Sequence, residues 1–442
     1  MAGGVALYAI NEFITMSLLP SVVADIGGAR LYAWVTTVYL VASVVSATTV
    51  GPVLARFGPR LSYLGALLFF AGGTAVCAAA PSMTALLAGR LIQGLAGGVL
   101  AGLGYAVISA ALPERLWTRA AAVVSAMWGV GTLVGPASGG VFAQFGLWRW
   151  GFGVLMFAAL LMAVLVPIAL PARGGAPEHR VRIPVRSLVL LGVAALLVSV
   201  AALPRNLAIT AGLLVSAAAL VVVFVVVDRG AAARVLPRRT FEPGPLKWIY
   251  LTMGLLMAAT MVDMYAPLFG QRLGALPPAA AGFLGAALSV GWTVAEIRSA
   301  SIADRRVAAQ VVRWSPAVMA AGLGLAALAI RDGAGPVAIA ALGLALAISG
   351  VGIGAAWPHL SVWAMGSVEG GSADDAAERA VAAAAINTVQ LMCAAFGAGV
   401  AGVVVNVRAQ PDAPAAQWLF AVFAGLAAVG WLASSRAARG PR

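Results

Sequence analysis

Five ionisable residues stand inside or at the rims of otherwise apolar stretches: Glu12, Arg90, Asp263, Glu296 and His359. A carboxyl group enclosed by apolar side chains resists ionisation, so a change in proton supply can switch its charge. One such site can be satisfied by a proton or by a cation, but not comfortably by both. Proton-for-cation exchange is therefore the chemistry these residues suggest. Glu12 lies about a third of the way along its apolar run, beyond easy reach of an interface. Asp263 precedes Pro267 by four residues, and a proline there cannot donate to the carbonyl of residue 263, so the helix is expected to open beside the carboxylate. His359 follows Pro358 and is either a proton carrier or a packed, satisfied histidine. Glu296 lies near a run's end, where it either lines a cavity or closes an inner gate with Arg298 or Arg56.

Other chemistries lack their residues. No phosphate-binding Walker sequence, metal-ligand cluster or nucleophile paired with a base occurs, so neither an enzyme nor an ATP-driven pump is indicated, and no cofactor or metal is expected. Gly350-x-Gly352-x-Gly354 has no preceding strand and reads as helix packing. Cys77 and Cys393 both lie in apolar runs, which excludes a disulfide framework.

The elements that must position these groups are legible from composition. Of 442 residues, 62% are hydrophobic and 10% charged, with mean hydropathy +0.99, against roughly 45–50% apolar and about 25% charged in soluble domains. The reading is an all-α polytopic membrane protein embedded in the lipid bilayer. Fourteen apolar runs of spanning length follow one another, from 4–25 to 415–435. With the amino terminus inside and every run crossing, 21 Lys and Arg fall on the cytoplasmic side, six outside, and Arg90 within a span. That asymmetry is what positive-inside insertion produces. It puts both termini in the cytoplasm and makes the +13 net charge an orientation signal rather than a nucleic-acid footprint. Residues 187–227 either cross twice or lie along the membrane, and both versions keep this orientation.

The long polar stretches bracket that pair, giving three parts: 1–170 as a six-helix bundle, 171–246 as a linker with two extra helices and basic flanks, and 247–442 as a second six-helix bundle. The acidic stretch 367–379 reads as a solvated loop, and His179 in the basic loop carries no signal. Two six-span halves around inserted helices suggest a transporter with pseudo-two-fold symmetry. Along such helices Asn11, Tyr39, Tyr105, Trp128, Tyr265, Trp292, Glu296, Asn387 and Gln390 are candidates for a substrate cavity. Trp292 and Glu296, four apart, share a helix face, and aromatic rings beside a carboxylate suit a flat lipophilic cation.

Glycines give the last pattern. Gly94, Gly98 and Gly102 form one four-residue stripe and Gly131, Gly135 and Gly139 another, each smooth enough for close helix approach. Pro136 bends the second. Gly135-Pro136-x-x-Gly139-Gly140 resembles the antiporter motif of the major facilitator superfamily. Arg90-x-x-Gln93-Gly94 resembles its R-x-x-Q-G motif, and Gly51-x-x-x-x-Arg56-x-Gly58-x-Arg60 its loop after the second span. Glu12-Phe13 with Leu18-Leu19-Pro20 and Asp25 is similar to the first helix of bacterial drug:proton antiporters. Trp148-Arg149-Trp150-x-Phe152 and Tyr265-x-Pro267-Leu268 are similar to the fourteen-span branch. The resemblance implies alternating access and a proton-coupled antiporter, a monomer, exporting hydrophobic or amphiphilic small molecules, cations among them. It implies that Glu12, Asp263 and His359 couple protons, that Arg90 and Gln93 form a charge partner, and that Asp304 and Arg305 mirror the first gating loop. Two departures stand out: Ala55 replaces the family's acid and Pro59 an expected base, so either Asp304 compensates or the outward-facing state is less favoured. Rival readings are an exporter or flippase of lipid-like molecules on the same fold, and a non-transporting membrane sensor or assembly partner.

Overall fold

The computed structural model describes residues 2–111, 117–170, 183–204, 206–366, 373–407 and 412–438, with the backbone alone at 2, 55, 105–111, 117–126, 128, 169, 373–380 and 383. Among the described residues the regular structure is helical throughout, without a strand. A backbone that enters lipid must satisfy its polar groups internally, and for these apolar runs the helix does so. Among the described residues, twelve segments are long and apolar enough to cross a membrane.

Two compact units form. The first comprises residues 1–183 with 277–283. It holds α1 (Ala2–Ile26), α2 (Tyr32–Ala47), α3 (Val50–Ala78), α4 (Met83–Ala111), α5 (Trp117–Gln144) and α6 (Trp148–Ala169). Here α4 packs between α2 and α3, α5 lies along α1, and α6 lies on α3. At one end, Asp25 of α1 pairs with Arg149 of α6 at 2.6 Å, and the Trp148 indole donates to the same carboxylate oxygen at 3.0 Å. Arg149 also donates to the Ala80 carbonyl at 3.3 Å, which ties the ends of α1, α3 and α6 together.

The second unit comprises 184–276 and 284–442. It holds α7 (Val185–Val200), α8 (Leu207–Gly230), α9 (Leu246–Thr260), α10 (Ala266–Gly274), most of α11 (Pro278–Ser299), α12 (Arg305–Ala329), α13 (Pro336–Gly366), α14 (Ala373–Asn406) and α15 (Ala413–Ala437). Helices α7 and α8 pack together as a hairpin, and α7 lies on α14. The turn is set by Asn206, whose side chain accepts from the backbone of Ala208 and so caps α8. In the last turn of α8 the fully buried Asp228 carboxylate accepts from the backbone N–H groups of Val235 (2.8 Å) and Leu236 (2.9 Å), which folds the following segment back. With 16 residues, α7 is about 24 Å long, short for a hydrocarbon core of about 30 Å.

The structure corrects three local expectations. The second apolar run is broken: the hydroxyls of Thr48 and Thr49 bond back to the carbonyls of Val45 and Ser46, both at 2.7 Å, and α2 ends there. The stretch from Gly51 to Arg60 is thus no open loop but a helical turn with a corner at Gly58, where φ is 71°. Only glycine takes that conformation without strain, and Ser62 pins the corner by donating to the Gly58 carbonyl at 2.6 Å. Lastly, α14 begins at Ala373, so Asp374, Asp375 and Glu378 belong to helix backbone rather than to a loop.

Large apolar side chains cover the outside. Ile168 on α6 is 83% exposed, Val215 on α8 69% and Val337 on α13 84%. Soluble monomers rarely expose apolar surface on this scale, and lipid is its natural cover.

Candidate functional site

In the first unit the site is built on one face of α4. Arg90, Gln93, Gly94 and Gly97 recur at three- and four-residue steps, so they share that face. Gly94 meets the backbone of Tyr39, and a methyl group there would overlap the Tyr39 carbonyl. Gly97 leaves room for two rings, since its Cβ would lie 3.0 Å from both the Tyr39 hydroxyl and the ring of Tyr8. The two tyrosine rings meet at a tilt of 32°, 5.4 Å between centroids. The glycines therefore let α2 and α1 close over Arg90.

Arg90 is 1% exposed. Its Nε donates to the Val35 carbonyl (3.1 Å), and one terminal nitrogen donates to Thr15 Oγ1 (3.2 Å) and Gln93 Oε1 (3.0 Å). The guanidinium carbon stands 4.1 Å from the centre of the Tyr39 ring. Gln93 is fixed in turn, its amide donating to Thr74 Oγ1 at 2.8 Å. Every one of these hydrogen-bond partners is neutral. The Glu12 carboxylate, one helical step from both Tyr8 and Thr15 on α1, interacts with Arg90 through space but forms no ion pair with it. A buried cation is expensive, and this one is supported by a neutral cradle that persists whichever charge Glu12 carries. Asn11 is fully buried next to Glu12.

Arg90→Lys tests the cradle. One ammonium cannot reproduce a planar fork that reaches α1, α2 and α4 together. The loss expected is about 1–3 kcal/mol, read as a lower thermal midpoint of the detergent-purified protein.

The motif on α5 serves the same helix. A Cβ on Gly131 would lie 2.6 Å from that of Ala9, one on Gly135 2.5 Å from that of Phe13, and one on Gly139 2.8 Å from the Ile14 carbonyl. The stripe thus holds α1 on both sides of Glu12. Gly140 faces the backbone of Ala279 at 2.6 Å instead, and the Pro136 carbonyl faces Gly282. In the gating motif Gly51 and Arg60 are half-buried, while exposed Arg56 stands 5.4 Å from the Phe57 ring.

In the second unit Asp263 and Tyr265 are buried within a 3₁₀ turn, Met261–Tyr265, that joins α9 to α10. The expected departure from α-helix at this acid is present, two residues ahead of Pro267. Tyr265 stacks on Phe269 at 5.9 Å. On α11 the Trp292 indole donates to Glu296 at 2.8 Å and lies against Trp357 of α13 at 5.6 Å. Glu296 thus has an intrahelical partner in place of the gate arginines considered from sequence. His359 Nε2 lies 2.9 Å from Ser299 Oγ. Asp304 caps α12, accepting from the Arg306 backbone at 2.7 Å, and Arg305 follows it, exposed. Gln390 is half-buried and Asn387 exposed. The side chains of Tyr105, Trp128 and Ala55 lie outside the described residues, as does His179.

Sequence reading missed Tyr8, Thr15, Thr74 and Ser299. Helical spacing carried a signal for the first two, four residues before and three after Glu12. Nothing in the sequence places Thr74 beside Gln93. Among the described residues no group of three or more His, Cys, Asp or Glu could hold a metal ion.

Stacked apolar helices, an outer surface suited to lipid and charged groups sealed among them define a polytopic α-helical membrane protein of transporter architecture. Solved transporters share the fold: an auto-inhibited POT family peptide transporter at TM-score 0.66 and 16% identity, covering 100% of this chain and 96% of that one, and a D-xylose–proton symporter at 0.63 and 14%, covering 97% and 95%. Residues 1–398 match the Major Facilitator Superfamily, and the chain belongs to that family of membrane transporters. A probable multidrug-efflux transporter of Mycobacterium tuberculosis (strain H37Rv) is 60% identical over 99% of this chain and 93% of its own length. The multidrug transporter protein MdtP of Bacillus subtilis (strain 168) is 25% identical over 58% of this chain and 49% of its own. The protein is a transporter, not an enzyme.

Proposed function

We propose that the protein is a multidrug exporter working as a proton-coupled antiporter, with Glu12 and Asp263 as the coupling acids. The relative that shares 60% of its residues carries the name of a probable multidrug-efflux transporter. The carrying observation is the neutral cradle of Arg90. Because the guanidinium is held by Val35, Thr15, Gln93 and the Tyr39 ring, Glu12 can take up or lose a proton without undoing the packing around it. A direct ion pair would instead hold the carboxylate charged. A hydrophobic cation that reaches Glu12 gains its charge and the Tyr8–Tyr39 rings, and a proton arriving from outside displaces it. Asp263, in the 3₁₀ turn, does the same in the second unit.

This reading retains the orientation with both termini in the cytoplasm, the three-part organisation at 1–170, 171–246 and 247–442, and a monomer as the working unit. His359, engaged by Ser299, is not needed for the coupling. The test is transport by protein reconstituted into liposomes under an imposed pH gradient, with ethidium as a cationic probe. Ethidium moves against the proton flux, and a protonophore collapses its gradient. Movement indifferent to the protonophore rules out proton coupling, and movement of fluorescent phospholipid without ethidium supports a lipid exporter instead.

A further inference from the structure

Thr15 on α1 is 3% exposed. It follows Glu12 by three residues, a spacing that makes the two side chains neighbours on one helix face. Its hydroxyl oxygen lies 3.2 Å from a terminal nitrogen of Arg90 and 2.6 Å from the Asn11 carbonyl. A guanidinium only donates, so Thr15 accepts from Arg90 and gives its single hydrogen to Asn11. Both roles of the hydroxyl are thereby fixed.

The other hydrogen bonds of Arg90 run to other helices. Its Nε is held by the Val35 carbonyl of α2 at 3.1 Å. The nitrogen that meets Thr15 also donates to Gln93 Oε1 at 3.0 Å. Gln93 is anchored to α3, because its amide donates to Thr74 and Thr74 donates in turn to the Phe70 carbonyl at 2.7 Å. Thr15 is thus the hydrogen-bonding member of the cradle that α1 contributes, and it stands beside the acid.

The charges acting on Glu12 are few. Arg90 of α4, Tyr8 of α1 and Tyr39 of α2 are the titratable groups that interact with it through space. Helix α5 meets α1 with Gly131, Gly135 and Gly139, and Tyr63 of α3 meets it near Gly4. Helix α6 brings Arg149, which is paired with Asp25. Arg90 is therefore the cation that could hold Glu12 in its charged form. We infer that Thr15 is a positioning residue of the exchange: by accepting from Arg90 it keeps the guanidinium from pairing with Glu12, so that the acid stays open to a proton. This rests on Glu12 as the coupling acid proposed above. With a methyl group in place of the hydroxyl, the Arg90 nitrogen loses its acceptor on α1 and turns to the neighbouring carboxylate. A carboxylate paired with a guanidinium resists protonation.

The experiment is an infrared titration of the full chain in liposomes, following the carboxyl band that Glu12→Gln removes. In Thr15→Val, which keeps the shape of threonine, the pH of half-protonation is expected to fall by about one unit or more. The pH profile of ethidium exchange moves the same way. Thr15→Ala, a second variant without the acceptor, falls likewise, and Thr15→Ser returns to the value of the parent protein. Thr252→Val removes a hydroxyl that makes the same bond four residues back, 2.7 Å to the Trp248 carbonyl of α9 in the second unit; it leaves the midpoint in place. An unmoved or raised midpoint in Thr15→Val and Thr15→Ala overturns the inference, as does an equal fall in Thr15→Ser or Thr252→Val. So does the absence of a titrating band that belongs to Glu12. If ethidium flux ignores a protonophore while the Thr15→Val midpoint still falls, the coupling role is removed and the placement of Arg90 by Thr15 is upheld. Protonophore-sensitive flux with an unmoved midpoint does the reverse.

Discussion

Replacing Glu12 by glutamine is expected to lower ethidium flux driven by a pH gradient by about 100-fold, which corresponds to about 2.7 kcal/mol. The amide has nearly the shape of the protonated acid but never changes charge. It therefore cannot alternate between proton and cation, and the imposed gradient has nothing to act on. The folded structure should survive, because Arg90 keeps Val35, Thr15, Gln93 and the Tyr39 ring as partners. The thermal midpoint should accordingly stay within about 3 °C of the parent protein. That separation of activity from stability distinguishes a coupling group from a structural one. Asp263→Asn is expected to fall in the same direction, since its 3₁₀ turn is a backbone feature upstream of Pro267 and does not depend on the carboxylate's charge. Flux retained in Glu12→Gln would remove the assignment.

Much of this arrangement is legible in the amino-acid sequence, for one physical reason: helical periodicity is written locally. Residues 90, 93, 94 and 97 share a face by arithmetic alone, as do 131, 135 and 139, and the structure puts a neighbouring helix against each set. The apolar runs likewise announce the spans. Sequence does not say which helix arrives. Thr74 holds Gln93 only because α3 packs on α4, and the Val35 carbonyl reaches Arg90 only because Gly94 lets α2 come close. Boundaries fail where short polar groups compete for the backbone. The hydroxyls of Thr48 and Thr49 end α2 inside a run that looks continuous by hydropathy. Glu296 shows the same limit: its spacing from Trp292 is evident, but whether the indole or an arginine claims the carboxylate depends on rotamers.

The second large effect separates glycines that composition alone treats as equal. Gly350→Ala is expected to destabilise the protein by about 3 kcal/mol, lowering its thermal midpoint by about 5 °C or more. Gly324→Ala, the same chemical change one helix away, should instead be neutral or stabilising by at most about 1 kcal/mol. The difference lies in what the new methyl group meets. At Gly350 on α13 it would overlap the Leu288 carbonyl of α11, with the Trp292 nitrogen at 2.8 Å. Gly291 against Ala347 and Gly354 against the Trp292 carbonyl continue the same backbone-to-backbone seam. No side chain there can rotate aside, so the two helices must separate along the whole contact, and close packing is a main force holding helices together in lipid. At Gly324 on α12 a methyl group meets nothing within 4 Å and simply removes backbone freedom from the unfolded chain. Because the seam also sets the height of Trp292, Gly350→Ala should move that indole away from Trp357 and loosen its bond to Glu296. Thermal unfolding read by tryptophan emission measures both changes in one experiment, and equal midpoints for the two alanine variants would show that the seam is not close-packed.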